Sequence, residues 1–193
     1  MHEYDLIADW YASDRESSGL PRGLPEVTSL ASSLAPGARV LDIGCGTGGP
    51  LPRALLSVGL QVVGIDSSMR MLERFRVNCP SATFIHGAIQ SCDLDGMTFD
   101  AAIAWGVFFH LEHSEQPQAI AQVSSVLKAG GRFLFTSGDQ DGGNEGTMNG
   151  VLFRYWSFTI DGYRRILQAH GLELTDTHAD AGGNVYYLAV KKE

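Results

Sequence analysis

Cysteine is scarce in this chain, and its placement excludes two classes at once. Cys45, Cys79 and Cys92 are odd in number and form no C-x-x-C pair, so neither a disulfide framework nor a structural zinc site is expected. Basic residues are also in short supply. The sequence sets 14 Lys and Arg against 22 Asp and Glu, a formal net charge of −8, and the nearest basic cluster is Lys191-Lys192. Such a surface repels phosphate backbones, so no nucleic-acid partner is expected. Long apolar runs are missing too. No stretch has the roughly 18 apolar residues that would suggest a membrane span. The opening MHEYDLIADWY has neither a basic n-region nor a long apolar h-region, so no signal peptide and a cytoplasmic location are expected. There is no internal repeat and no low-complexity linker. One domain over residues 1–193 is the natural reading of this length.

What is present is concentrated at residues 39–50, RVLDIGCGTGGP. The run Val40–Ile43 is short and β-branched, as a buried strand is, and it leads into Gly44, Gly46, Gly48 and Gly49. The glycines let the backbone turn sharply and approach a ligand with no Cβ between. Asp42 sits at the carboxyl end of the strand, where open α/β sheets bind ligands. The letters fit two patterns: G-x-G-x-x-G, the dinucleotide fingerprint, and D-x-G-x-G-x-G counted from Asp42.

From residue 39 onward strand and helix alternate. Strands are expected at Val40–Ile43, Gln61–Ile65, Thr83–His86, Phe99–Ala104 and Arg132–Thr136. A helix should open at Pro50 and stop at Gly59. Another should be capped by Ser67 or Ser68. A third should run from about Glu115 to Leu127 and end at Gly130-Gly131, and a fourth should occupy 159–169. Residues 138–150, GDQDGGNEGTMNG, read as a glycine-rich polar loop. Leu172–His178 and Val185–Val190 read as an antiparallel hairpin joined by DAGG. The expectation is a Rossmann-like, doubly wound α/β fold whose seven-stranded, mainly parallel sheet ends in an antiparallel hairpin.

Asp66 ends the second strand, 24 positions after Asp42. An acid there accepts hydrogen bonds from two ribose hydroxyls, a chemistry that serves nicotinamide and S-adenosyl cofactors alike. Four further features separate the two. Asp42 lies inside the first strand's end. FDAAIAWGVFFHL (99–111), VLKAGGRFLF (126–135) and the N-terminal YDLIADWY complete the pattern. Together they resemble the class I S-adenosylmethionine-dependent methyltransferases of the compact kind acting on small molecules. The resemblance implies an enzyme that transfers a methyl group to a small acceptor and releases S-adenosylhomocysteine.

Carried over by position, Gly44 and Gly46 bring main-chain atoms against the methionine part of the cofactor, with Cys45 between them as a small buried residue rather than a nucleophile. Asp42 would meet the ammonium group and Asp66 the ribose. Ser67 and Met71 would pack beside adenine or ribose. Where many relatives carry an acid for the adenine amino group, this chain reads Gly87-Ala88-Ile89-Gln90. The main chain of Ala88 and Ile89 would then meet the adenine edge, with Gln90 supplying a polar side chain. Trp105 either lines the cofactor cleft or simply packs. His110 is either a general base or a packing residue; its ordinary pKa of about 6.5 suits proton transfer near neutrality. Phe109, Glu145 and Tyr155 are the expected substrate wall. Residues 1–38 are read as a lid segment, with Tyr4, Trp10 and Tyr11 on a helix over the cofactor, and 39–193 as the core.

No metal is expected. The pair His110 and His113 has no further ligand cluster, and the acidic loop 139–146 fails calcium-loop spacing because its twelfth position is Gly150. Two other function classes compete: a nicotinamide-dependent oxidoreductase, and a non-catalytic module that binds the same cofactor. The substrate, the accepting atom and the oligomeric state are not encoded in any pattern of the sequence.

Overall fold

The computed structural model describes residues 3–17, 22–179 and 184–193. Two helices, α1 (Glu3–Ser17) and α2 (Leu24–Ser32), precede the first strand. Then come β1 (Arg39–Ile43), α3 (Leu51–Ser57), β2 (Gln61–Asp66), α4 (Met69–Asn78), β3 (Thr83–His86) and β4 (Phe99–Ala104). A short 3-10 helix (Phe108–His110) follows, then α5 (Glu115–Val126), β5 (Leu127–Ser137), β6 (Gly142–Met148), β7 (Val151–Ser157), α6 (Ile160–Ala169), β8 (Leu172–Ala179) and β9 (Val185–Lys191).

Seven strands form one sheet in the order β3-β2-β1-β4-β5-β9-β8. The five from β3 to β5 are parallel, and β9 runs antiparallel to both β5 and β8. This is the expected Rossmann-like sheet with its terminal hairpin. The DAGG turn of that hairpin lies outside the described residues. Strands β1 and β4 are nearly continuous apolar runs because helices cover both faces. One core joins Leu41, Ile43 and Phe133 to Ile120 and Val123 of α5 and Leu167 of α6. The other joins Val40, Val62 and Ile103 to Val27 and Leu30 of α2, Leu55 of α3 and Phe75 of α4. The segment read as a lid therefore divides. Helix α2 is part of the core, and only α1 is left to cover the site.

Local chemistry sets the helix ends. Ser68 caps α4 by accepting from the Met71 amide, and Thr159 caps α6 by accepting from Gly162. The stop expected at Gly130-Gly131 is not where α5 ends. The helix ends at Val126, and Leu127 already pairs with Phe99; the ladder then skips to Ala101↔Arg132. The glycines sit in that irregularity within β5, because pairing with β4 claims the chain earlier than its turn residues suggest.

The largest departure is at 138–150, read above as a loop. Residues 142–148 form β6, which pairs antiparallel with β7 as a separate two-stranded ribbon. Asn149 and Gly150 turn it, both at positive φ. Asn-Gly between two strands is the strongest short hairpin signal, and it lay unused in the sequence. Polarity hid β6, because its glycines leave room for aromatic rings instead of supplying side chains of their own. A Cβ on Gly143 would lie 2.3 Å from the Trp156 ring, and one on Gly146 would lie 3.2 Å from Tyr155. No helix among the described residues is long and apolar enough to cross a membrane.

Candidate active site

At the carboxyl ends of β1, β2 and β4 the chain encloses a cavity of about 570 Å3. Gly44, Gly46, Asp66, Ser67, Met71, Ala88, Gln90, Trp105, His110 and Tyr11 all line it. The topology brings together residues that the sequence spreads over a hundred positions.

Two glycines of the loop after β1 have different reasons to be glycine. At Gly44 (φ +65°) a Cβ would lie 2.2 Å from Val107 Cγ2, so this position is set by packing against the segment after β4. At Gly46 (φ +55°) a Cβ would meet only the Gly44 carbonyl, at 3.9 Å. Gly46 faces open space in the cavity, as a backbone that cradles a ligand does.

Asp66 organises this half of the site. Its Oδ2 accepts from the Gly46 amide at 2.9 Å, and its Oδ1 from the Ser68 amide at 2.8 Å. One carboxylate thus ties the glycine loop to the start of α4. Asp42, two residues before Gly44, is buried, and its Oδ2 has no partner among the described residues. Burial, and secondarily the charge of Asp66, push the Asp42 carboxyl up to about 8. Gln90 donates from Nε2 to Glu115 Oε1 at 3.0 Å, while its own Oε1 is buried without a partner. Two unpartnered buried acceptors and one anchored carboxylate are suited to a ligand rich in donors.

The other half is built by α1, the 3-10 helix and β7. Helix α1 is fastened at α4: Ser68 Oγ donates to Asp5 Oδ1 at 2.6 Å, Arg70 donates to the Asp5 carbonyl at 3.0 Å, and Arg70 and Arg74 both pair with Asp9. It carries Tyr4 to His110, with the Tyr4 hydroxyl 3.0 Å from His110 Nε2. The imidazole is ringed by Tyr4, Phe109, Phe153 and Tyr155, with centroids 4.8 to 5.6 Å away. Trp105 lies on the cavity wall and also packs over Gly23, where a Cβ would sit 2.4 Å from its ring.

Several residues named from the sequence are not on the wall. Cys45 is buried against Gly64 and Phe75, and burial pushes its thiol up. Ile89 is a core residue. Asp42 lies beneath the loop. Phe109 and Tyr155 pack against the His110 ring, with centroids 4.8 and 5.2 Å away. Glu145 points outward and pairs with Arg154 Nε at 3.0 Å. Trp10, expected over the cofactor, is exposed. His113 is engaged by the Ser157 carbonyl at 2.7 Å and stacked on Phe158. No group of three or more metal-ligating side chains occurs among the described residues.

Other wall residues were not anticipated: Glu3, Glu112, Glu115, Leu152, Phe153 and Arg154. Three of these belong to β7, so the Asn149-Gly150 hairpin signal would have located them.

Residues 40–131 match the family described as methyltransferase domain. The sarcosine/dimethylglycine N-methyltransferase of Halorhodospira halochloris is 28% identical over 181 residues, 88% of this chain and 64% of the relative. The first curated relatives are matched over only 39% and 47% of their length, so the chain spans less than half of each. Among solved structures, the CcbJ methyltransferase of Streptomyces caelestis superposes with a TM-score of 0.82 at 20% identity, covering 99% of this chain and 98% of that one. CalS10 of Micromonospora echinaspora, an amino pentose methyltransferase solved with S-adenosylmethionine bound, gives 0.76 at 20% identity over 95% and 97%.

Proposed function

We propose that the chain is a class I S-adenosylmethionine-dependent methyltransferase, and that it transfers a methyl group from S-adenosylmethionine to a small-molecule acceptor and releases S-adenosylhomocysteine. One observation carries this reading above the others. The Asp66 carboxylate, held by the Gly46 and Ser68 amides, opens onto a cavity whose opposite wall is aromatic. Asp66 would accept from the ribose hydroxyls and Gln90 Oε1 from the adenine amino group, while Asp42, buried beneath the loop, would act on the ammonium group through its charge. Of these, Asp42 Oδ2 and Gln90 Oε1 are buried without a partner among the described residues. Ser67 and Met71 flank the ribose and adenine, and the Ala88 main chain faces the adenine edge.

The cofactor supplies a methyl carbon already activated on a sulfonium, so the protein's task is to align two reactants and exclude water. Helix α1 does the excluding: Tyr4 and Tyr11 close one side of the cavity, and α1 acts as a lid. His110 and Tyr4 form a pair through which a proton leaves the acceptor, either to Nε2 or across the phenol oxygen. With an acceptor found by screening small molecules against radiolabelled cofactor, His110→Gln should lower turnover at least about tenfold, since general bases contribute roughly 10²–10⁴. Cofactor affinity should change less than about twofold, and the acidic limb of the pH–rate profile should disappear. Near-normal turnover with a plain loss of stability would assign His110 to packing alone.

The Asp42 carboxyl provides the direct test of cofactor placement. Its pKa in the folded protein, about 8, lies above its ordinary 3.8. The folded chain therefore holds an extra proton between these values. Asp42 contributes stability below about pH 4 that is lost as the pH rises through about 8. Binding an ammonium group beside it favours the carboxylate, so cofactor binding at pH 7 should release about one proton. Titration calorimetry in buffers of different ionisation enthalpy should show this release, and Asp42→Asn should remove it. Binding heats independent of buffer would place the ammonium elsewhere.

Absence of a nucleic-acid partner belongs to the same proposal, since a charge of −8 opposes binding of polyanions. So does a cytoplasmic location, which suits three free cysteines in a reducing compartment.

A further inference from the structure

The cavity has an uneven charge. Glu3, Glu112 and Glu115 line it, against a single Arg or Lys among the described lining residues, Arg154. Arg154 is already paired with Glu145, and an anionic acceptor would have to break that pair. Glu115 is engaged at both oxygens, by Gln90 Nε2 at 3.0 Å and the Glu112 amide at 2.9 Å. Glu112 differs from it: it lines the cavity as an exposed residue, and its carboxylate makes no hydrogen bond or ion pair with any described residue. The same cavity is lined by the aromatic rings of Tyr4, Tyr11, Trp105 and Phe153. Aromatic faces attract cations through their quadrupole, and a carboxylate at the rim adds a direct partner.

We propose that the acceptor is an amine, and that Glu112 is the residue that selects for it. This rests on the methyltransferase reading and names the accepting atom as nitrogen. An amine arriving protonated is held by Glu112 and the aromatic wall, then gives one proton to His110 or to water. The free nitrogen's lone pair forms the bond to the methyl carbon while the carbon–sulfur bond breaks and its electron pair goes to sulfur. The product leaves as the methylated ammonium. Carboxylate acceptors are excluded by Glu112 itself. Alcohols donate one hydrogen bond to that carboxylate but carry no charge to pair with it or with the aromatic faces.

The test is a binding experiment on the full chain saturated with S-adenosylhomocysteine, using matched probes on benzyl, phenethyl, cyclohexyl and propyl skeletons, each as the amine, alcohol and carboxylate. For at least one skeleton the amine should bind about tenfold or more tighter than its matched alcohol, and the carboxylate should be weakest. Glu112→Gln should reduce that preference to about twofold or less, and Glu112→Lys should invert it toward the carboxylate. S-adenosylhomocysteine affinity should stay within about twofold in both variants. No amine preference on any skeleton, or a preference unchanged in Glu112→Gln, overturns the proposal. Failure of the wild-type chain to bind S-adenosylhomocysteine is a separate result; it overturns the methyltransferase reading and this proposal with it.

Discussion

Asp66→Ala should lower S-adenosylmethionine affinity at least about a hundredfold, the largest loss expected from any single carboxylate in this chain. Hydrogen bonds to a charged group are worth about 1.5–3 kcal/mol, and Asp66 would make them to the ribose. It also holds the site in shape. Its two oxygens accept from Gly46 and Ser68, at 2.9 and 2.8 Å, and those amides belong to the glycine loop and the start of α4. Removing the side chain leaves both amides without their acceptor, so the loop loosens as the ribose contact is lost. Ser68 ties in a further element, because its hydroxyl donates to Asp5 of α1. Loosening at Asp66 should therefore reach the lid, visible as faster amide exchange in α1. Asp66→Asn should fall between wild type and alanine, since its amide nitrogen must face one of two backbone donors. Titration calorimetry on the folded variants decides the matter, and wild-type affinity in Asp66→Ala would sink the ribose assignment.

The second large effect is expected at Gln116, far from any motif. This side chain is fully buried. Its Nε2 donates to the Leu111 carbonyl at 2.9 Å and to the Trp156 carbonyl at 3.0 Å, while its Oε1 accepts from the Tyr163 hydroxyl at 2.7 Å. One amide thus joins α5, the segment after the 3-10 helix, the ribbon and α6. Tyr163 is itself buried, which pushes its hydroxyl up to about 12, and that hydroxyl also meets Ser137 Oγ at 2.5 Å. Gln116→Leu is close in size but leaves two carbonyls and a hydroxyl short of partners. At about 1–3 kcal/mol for each buried group left unsatisfied, the variant should lose about 3 kcal/mol or more. In a chain of this length that corresponds to a fall in melting temperature of roughly 6–12 °C. Leu111 and Trp156 both line the cavity, so acceptor binding should weaken more than cofactor binding. A melting temperature within about 2 °C of wild type would show that water or rearrangement replaces these bonds, at odds with the few-degree shift expected per kcal/mol.

The glycine-loop side of the cavity was legible in the sequence because its signals are local. Val40–Ile43 reads as a buried strand, the glycines follow it directly, and Asp66 ends the next apolar run. Parallel strands covered on both faces produce continuous apolar runs that pattern alone picks out. The alternation of strand and helix then implies the sheet, and the fold contains it with its terminal hairpin. The glycine loop, Asp66, Ser67, Met71 and Ala88 meet in one cavity because short connections deliver them all to the same edge of that sheet.

The acceptor half was decided only in three dimensions. Phe109, Tyr155 and Glu145 were expected on its wall, but the fold packs the first two against the His110 ring and turns the third outward. Strand β6 was hidden because its glycines serve the rings of β7, a cross-strand relation that composition does not record. Tyr4 reaches His110 across 106 positions, and Asp5 reaches Ser68 across 63. Local propensity and periodicity describe how a segment lies along itself. They contain nothing about which distant segment will bury its polar atoms. Each such contact forms only after the sheet has fixed where the chain ends meet, because only then does satisfying a buried donor or acceptor outweigh the entropy of ordering both partners.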